Sequence, residues 1–170
     1  MLPREIAVVD AASGPPGFDA RRDARSRTYC YWVLASPVRD PFLEGRALRW
    51  PHWLNREKLE RCADSVVGKH DFTAFTPTDS EHVRFEREIL GAEWRTHGVA
   101  PPFSGHLLEL WIEADAFMRH MVRVLVGTML DVAGGKRTIE DFEALLRGAP
   151  RERAGETAPA HGLYLAAVRY

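Results

Sequence analysis

Two arginines inside an apolar segment are the residues whose type and spacing could most directly do chemistry. Arg119 and Arg123 stand four residues apart, with His120 beside the first, in a segment (116–132) that is otherwise mostly apolar. On a helix, residues four apart share one stripe, so both guanidinium groups would face the same way. A buried arginine without a partner is strongly destabilising, so each must meet a carboxylate, a phosphate or water. Two interpretations stay open: an internal ion pair, or a rigid arginine at a cleft that orients an acid or grips a phosphate.

The net charge conceals where the cations lie. Lys+Arg 23 against Asp+Glu 24 gives a net charge of -1, which by itself argues against a nucleic-acid binder that is basic overall. Yet residues 21–27 and 119–137 each carry a local charge of +3, whereas residues 79–93 carry -3. Segregated patches suit a protein that grips a phosphate backbone. Solvated faces of mixed charge, and a codon usage that favours arginine (20 Arg against 3 Lys), are the alternatives.

A pair of tyrosines and a glycine–leucine step are further candidates. Tyr29 and Tyr31 alternate onto one face of a β-rich run that extends from Thr28 to Ser36. Such aromatic pairs pack within sheets, and they can also stack on an unpaired base. Gly162 precedes Leu163 at the entrance of another strand-like run, where a backbone or a ligand could approach closely.

Periodicity and capping signals predict the elements that must position these residues. Strands are predicted over about 28–36, 83–98, 105–114 and 163–170, and helices over about 56–67, 116–132 and 138–147. Asn55 and Asp115 are predicted to cap the first two helices. Residues 1–20 are predicted to be a connector with a short strand and a Gly/Pro turn, and residues 21–170 to be one α/β domain, as the length of 170 residues allows.

This βαββαβ-like order predicts an α+β fold, in which an antiparallel sheet carries helices on one face, as in ferredoxin-like and RNA-recognition (RRM) modules. The other face would be free, and RNA-recognition modules often bind on such an open face. Cys30 and Cys62 share no metal-ligand spacing and are expected to be reduced packing residues. With no long apolar segment and no signal-peptide pattern, a cytoplasmic protein is expected.

Four blocks of residues follow one another along the chain: Phe18 to Arg21 with Ser26 to Tyr31, Gly68 to Phe75, Ala116 to Arg123 running on to Thr128, and Arg153 to Ala160 followed by Gly162 to Leu165. With these blocks in this order, the chain from about Ile6 to Tyr170 resembles the C-terminal half of the tRNA pseudouridine synthase A family. The resemblance covers nearly the whole chain, and the block around Arg123 is its strongest part. It implies that the fold is one half of a pseudouridine synthase.

The resemblance also implies a function. Members isomerise uridine to pseudouridine in the tRNA anticodon stem-loop, need no metal or cofactor, and are homodimers with the RNA lying across both subunits. By this resemblance Tyr29 would stack on the flipped uracil and take the C5 proton, Arg123 would pair with the catalytic aspartate, and Leu163 would pack against the base. The candidates for RNA backbone contacts are Arg21, Arg25, Arg27, Arg119 and His120.

The chain departs from the family at the nucleophile. The family's catalytic aspartate stands in a Gly-Arg-Thr-Asp-x-Gly-Val motif of its N-terminal half, and none of the ten aspartates here has that context. The chain is therefore expected to be the RNA-binding and active-site-lining half, inactive without a separate or missing N-terminal half that supplies the aspartate. A non-catalytic RNA-binding module and a dimerisation domain with an internal arginine network are the alternatives.

Overall fold

The computed structural model describes residues 2–79, 83–99 and 103–170, and it has the predicted α+β architecture. The strands are β1 (Ser26–Ala35), β2 (Leu48–Trp50), β3 (Gly68–Asp71), β4 (Glu86–Gly98), β5 (His106–Ala114) and β6 (Leu163–Arg169). The helices are α1 (Arg56–Val66), α2 (Met121–Ala133) and α3 (Ile139–Leu145).

One six-stranded sheet organises the molecule, in the order β2-β1-β5-β4-β3. Strand β1 is central: β5 pairs antiparallel along one edge, while β6 and β2 share the other edge. Strand β6 covers the first part of β1, with Tyr31 opposite Leu163, and β2 runs parallel to its last part, with Val33 opposite Leu48. Because β1 carries Tyr29 and β6 begins at Leu163, this pairing brings two predicted site residues together.

The helices cover one face of the sheet, as predicted. Alternate side chains of β1 and β5, among them Tyr31, Val33, Leu110 and Ile112, point into a core with α2 at its centre. Ten of the 13 residues of α2 are buried. Full burial of a large apolar side chain stabilises the fold by about 1.5–3 kcal/mol, so the apolar surface of α2 holds this helix firmly in place.

The cap of α1 agrees with the prediction, and that of α2 differs. Asn55 caps α1 by accepting a hydrogen bond from the Lys58 backbone N–H at 3.0 Å. The prediction that Asp115 caps a helix from Ala116 was wrong, because α2 begins only at Met121. The Asp115 carboxylate instead accepts from the backbone N–H of Ala116 and of Glu88, which ties the end of the β4–β5 hairpin. Thr138 and Asp141 form a capping box at α3.

The structure also differs from the predictions at the chain start and in two short strands. No strand forms in the described residues of the predicted connector, where Val8 and Val9 are exposed and no neighbouring strand offers hydrogen bonds. Strands β2 and β3 were not predicted, since runs of three and four residues are too short to show an alternating pattern. Gly68, predicted only to end α1, has φ of 104° and turns the chain directly into β3.

Both cysteines are free and buried, in agreement with their predicted packing role. Within the described residues, no helix has both the length and the apolar character that crossing a membrane requires.

Candidate active site

A cavity of about 330 Å³ lies where α2 begins, beside β1 and the start of β6. Its walls include five of the residues predicted from the sequence, together with Phe117: these are Tyr29, Arg119, His120, Arg123 and Leu163. The five come from four separate parts of the chain, namely β1, the turn before α2, the first turn of α2 and the first residue of β6. The fold thus places the predicted aromatic, aliphatic and cationic groups around one space large enough for a pyrimidine base.

Tyr29 is held on two sides. In the sheet it lies opposite Ile112 of β5 and Leu165 of β6. Its ring packs edge to face against Phe117, with ring centroids 5.2 Å apart and planes at 89°, a favoured geometry for aromatic pairs. Phe117 was not singled out from the sequence. Its only signal was its position two residues before Arg119, within the block of strongest family resemblance.

Arg123 lies in the first turn of α2 and is oriented by the backbone. Its Nε–H donates to the Ala158 carbonyl at 2.6 Å, and the Ala158 N–H donates to the Arg123 carbonyl at 3.1 Å. In the described part of the chain, no carboxylate lies within 4.0 Å of this guanidinium group. A half-buried arginine is therefore held rigid on one side while its charge has no acidic partner, so of the two predicted interpretations the internal ion pair does not apply to Arg123.

Residues 154–162, which we call the strap, cross α2 and deliver the chain to Leu163. The Gly155 N–H donates to Thr128 Oγ1 at 3.0 Å. A side chain at Gly127 would overlap the Glu156 carbonyl oxygen, and one at Gly162 would put Cβ 2.8 Å from Cζ of Tyr31. These close approaches explain why glycine occupies both positions. The sequence indicated one of them, at the entrance of the last strand.

Arg119 and His120 form the outer rim of the cavity. Arg119 pairs with Asp79, and this guanidinium group lowers the pKa of the Asp79 carboxyl. Both side chains are largely exposed, and such pairs contribute little to stability. His120 is the one non-glycine residue with positive φ (63°) among the described residues, and partial desolvation, followed by the charges of Arg123 and Arg119, lowers its pKa.

The basic segment 21–27 lies at the same end of the sheet. Arg27 donates to the carbonyl oxygens of Asp115 at 2.9 Å and of Arg21 at 2.6 Å. It thereby joins this segment to the turn that leads into Arg119. Arg21 and Arg25 are exposed. The second basic segment (119–137), by contrast, does not form one patch. Lys136 lies at the far end of α2 from Arg119, and its Nζ forms an ion pair with the Asp131 carboxylate at 3.1 Å.

The open face of the sheet, the predicted alternative RNA surface, carries mixed charge. Glu113 pairs with Arg169 at 3.4 Å, and Glu93 pairs with Arg95, whose guanidinium carbon lies 4.7 Å from the centre of the Trp111 ring. A face whose cations are already matched by glutamates offers little attraction for a phosphate backbone. Among the described residues, Arg21, Arg25 and Arg123, at the end of the sheet where the cavity lies, form no ion pair.

The described residues contain no group of three His, Cys, Asp or Glu side chains placed to hold a metal ion.

The sheet, the strap and the cavity fit the half-domain of a pseudouridine synthase. Residues 62–170 match the family model described as tRNA pseudouridine synthase. The chain is 38% identical over 170 residues to "tRNA pseudouridine synthase A" of Thermus thermophilus, covering all of this chain and 65% of that protein. Proteins of the same name from Bacillus pumilus and Chloroflexus aurantiacus are 34% and 35% identical, with 66% and 60% of their lengths covered. The chain belongs to the tRNA pseudouridine synthase family and spans about two thirds of the length of these relatives.

Proposed function

We propose that this chain forms the RNA-binding and active-site-lining part of a synthase that converts uridine to pseudouridine in the tRNA anticodon stem-loop. The observation that carries the proposal is Arg123. Its guanidinium group is oriented by the strap, faces a base-sized cavity between Tyr29 and Leu163, and has no carboxylate partner among the described residues. A cation prepared in this way suits an acidic group that arrives from outside the domain.

The reaction exchanges one bond to the ribose for another. The N1–C1′ glycosidic bond breaks, the uracil turns, C5 bonds to C1′, and the proton on C5 is lost while N1 gains one, so the product is an isomer of the substrate. The target base must first leave its stack, which costs a few kcal/mol and requires a pocket to receive it. The cavity at the start of α2 has the size and the lining that such a pocket needs.

Each wall of the cavity has a proposed role. Tyr29, fixed by Phe117, stacks on the flipped uracil and takes the C5 proton, and Leu163 packs against the other side of the base. Arg123 pairs with the aspartate that attacks. That aspartate is proposed to come from a segment beyond these 170 residues, because none of the ten aspartates here has the family's Arg-Thr-Asp context.

The cationic rim is proposed to hold the RNA backbone. Arg21 and Arg25 are exposed beside it, and Arg27 keeps their segment next to the turn before α2. Arg119 can exchange its exposed partner Asp79 for a phosphate at little cost, since the pair is solvated. His120 lies between these groups and the cavity. The assembled enzyme is proposed to be a homodimer that binds one tRNA across both subunits.

The test separates the contribution of this chain from that of the segment proposed to supply the aspartate. Pseudouridine formation in tRNA is measured with this chain alone and with the chain supplemented by a family segment that carries the Arg-Thr-Asp motif. We expect no product from the chain alone and product from the combination. Product from the chain alone would overturn the assignment of the nucleophile to another segment. Binding of tRNA without product in the combination would instead favour a non-catalytic RNA-binding module.

A further inference from the structure

We infer that Tyr31, which is not among the residues lining the cavity, is a positioning residue for it: its hydroxyl holds the strap so that Arg123 and Leu163 keep their places. This inference rests on the proposed function. It assigns a task to a side chain that packing alone would not require to carry a hydroxyl group.

The hydroxyl of Tyr31 has a specific partner. Tyr31 is fully buried and lies two residues after Tyr29, so both rings point to the helix-covered face of the sheet. Its O–H donates to the Pro159 carbonyl at 2.7 Å, a bond that links the central strand to the strap across 128 residues of sequence. Burial raises the pKa of this hydroxyl, so it stays a neutral donor at physiological pH.

The bond to Pro159 acts on Arg123 through one residue. Ala158, directly before Pro159, accepts from Arg123 Nε–H at 2.6 Å and donates to the Arg123 carbonyl at 3.1 Å. The proline ring restricts φ of Pro159 (here −54°), which is one of the two dihedral angles that relate the carbonyl groups of residues 158 and 159. A strap released from Tyr31 would therefore move the oxygen that orients the guanidinium group.

The same ring sets the start of β6. Gly162 passes so close to Tyr31 that a Cβ there would lie 2.8 Å from the ring carbon Cζ. Leu163 then pairs opposite Tyr31 in the sheet. Tyr29, which lies on the same strand as Tyr31, also lines the cavity. Tyr31 thus contacts or neighbours the segments that hold Arg123, Leu163 and Tyr29, the three residues proposed to surround the uracil.

Removing only the oxygen tests the inference, and the chain offers a matched control. Tyr31→Phe keeps the packed ring and deletes the hydrogen bond to Pro159. Tyr164→Phe makes the same deletion elsewhere, since the Tyr164 hydroxyl donates to the Arg46 carbonyl at 2.7 Å, at a residue that does not line the cavity. Both variants lose one tyrosine hydroxyl that is bonded to a backbone carbonyl.

The first readout follows the guanidinium group directly. Hydrogen exchange of Arg123 Nε–H is measured by NMR in this chain, with the Leu59 N–H, which is buried in α1 and bonded to the Asn55 carbonyl, as an internal reference outside the strap. We expect Tyr31→Phe to speed exchange at Arg123 at least tenfold and to leave Leu59 unchanged. Tyr164→Phe should change neither. Equal acceleration at both sites, or none at Arg123, would overturn the positioning role, because a loss of overall stability moves both.

The second readout is catalytic and uses the chain together with the segment that supplies the aspartate. Small misplacements of catalytic groups cost up to about 100-fold in rate. We expect Tyr31→Phe to lower kcat by about 10- to 100-fold with KM within about twofold, since the rim contacts to RNA are unchanged. A kcat equal to that of the parent protein would overturn the inference. If the parent protein formed no pseudouridine, the proposed function would fail, and the exchange at Arg123 alone would decide the role of Tyr31.

Discussion

The open face of the sheet and the cavity at the start of α2 differ in how they treat their charged groups. On the open face Arg95 and Arg169 each contact a glutamate, so the charges cancel within the domain. In the cavity Arg123 contacts a backbone carbonyl and no carboxylate of the described residues, while Arg119 at the rim forms an exposed ion pair with Asp79, much like the Arg95–Glu93 pair of the open face. The two regions therefore differ at Arg123, whose charge has no acidic partner among the described residues.

The difference shows which observation separates a structural arginine from a functional one. Composition and exposure do not, because arginines are abundant in both regions. The partner does so only together with the position: an arginine matched by a carboxylate has its charge satisfied, whereas one held by a carbonyl keeps an unmatched charge. We propose that such a charge marks a functional arginine where it also lines a cavity, as Arg123 does.

The largest expected effect comes from Arg123. With the aspartate-bearing segment present, Arg123→Ala should lower pseudouridine formation by about 100- to 1,000-fold, the usual cost of removing one donor that stabilises the reacting groups. Arg95→Ala, on the open face, should change the rate by less than about twofold. Steady-state kinetics on tRNA measure both. Equal losses at the two arginines would remove the distinction between the regions.

The stability of the same variant sharpens the comparison. Arg123→Ala should destabilise the isolated chain only modestly, because no carboxylate of the described residues loses its partner. Urea unfolding gives the change in the free energy of unfolding. A loss above about 3 kcal/mol would point to an acidic partner inside this domain.

Glycine positions in the two regions should respond differently to the same substitution. Gly162→Ala places a methyl group 2.8 Å from the Tyr31 ring and should destabilise the fold by about 1–3 kcal/mol, the range for overpacking. Gly91→Ala, beside the open face, has no atom within 4 Å of the new Cβ and should be close to neutral. The urea midpoints of the two variants decide, and matching midpoints would show that the strap gives way without cost.

The basic segment 21–27, beside the cavity rim, should contribute more to RNA binding than the open face does. Replacing Arg21 and Arg25 together by alanine should weaken tRNA binding and reduce the steepness of its salt dependence, by about 0.7–0.9 for each phosphate that the protein no longer neutralises. Replacing Arg95 and Arg169 together should leave that slope unchanged. Binding titrations over a range of salt concentrations measure both, and a slope that follows the open-face pair would reverse the assignment.

The smallest expected effect is the pH dependence that His120 adds. Its pKa is lowered in the folded protein, so the unfolded state binds the proton more readily and the stability contributed by neutral His120 is lost as pH falls below 6.5. A phosphate beside it would favour the charged form, so tRNA affinity should rise as pH falls through this range. His120→Gln should flatten that rise in binding titrations from about pH 5.5 to 8, the range in which histidine changes charge. A profile identical to that of the parent chain would place the RNA away from His120.

The helices were predictable where local signals agree. Asn55 and Thr138 stand at N-caps, apolar residues recur at helical spacing behind them, and α1 and α3 begin where predicted. The start of α2 was not predictable in this way. Asp115 by itself is a good N-cap residue, but the folded β4–β5 hairpin brings the Glu88 N–H to its carboxylate, and this contact is not visible in the local sequence. Strands β2 and β3 exist only because β1 and β4 present edges to them.

The residues of the candidate site could be named from the sequence, but what each one contacts could not. Residue type and spacing drew attention to Arg123 and to the pair of Tyr29 and Tyr31, because these depend on chemistry that the side chains carry wherever they lie. The family resemblance added the role of Leu163. That Arg27 and Arg123 are each held by backbone carbonyls, and not by a carboxylate of the described residues, was decided only by tertiary structure. Partners are set by which distant segments the sheet brings within hydrogen-bonding distance, and in Arg123 and Tyr31 those segments are 35 and 128 residues away.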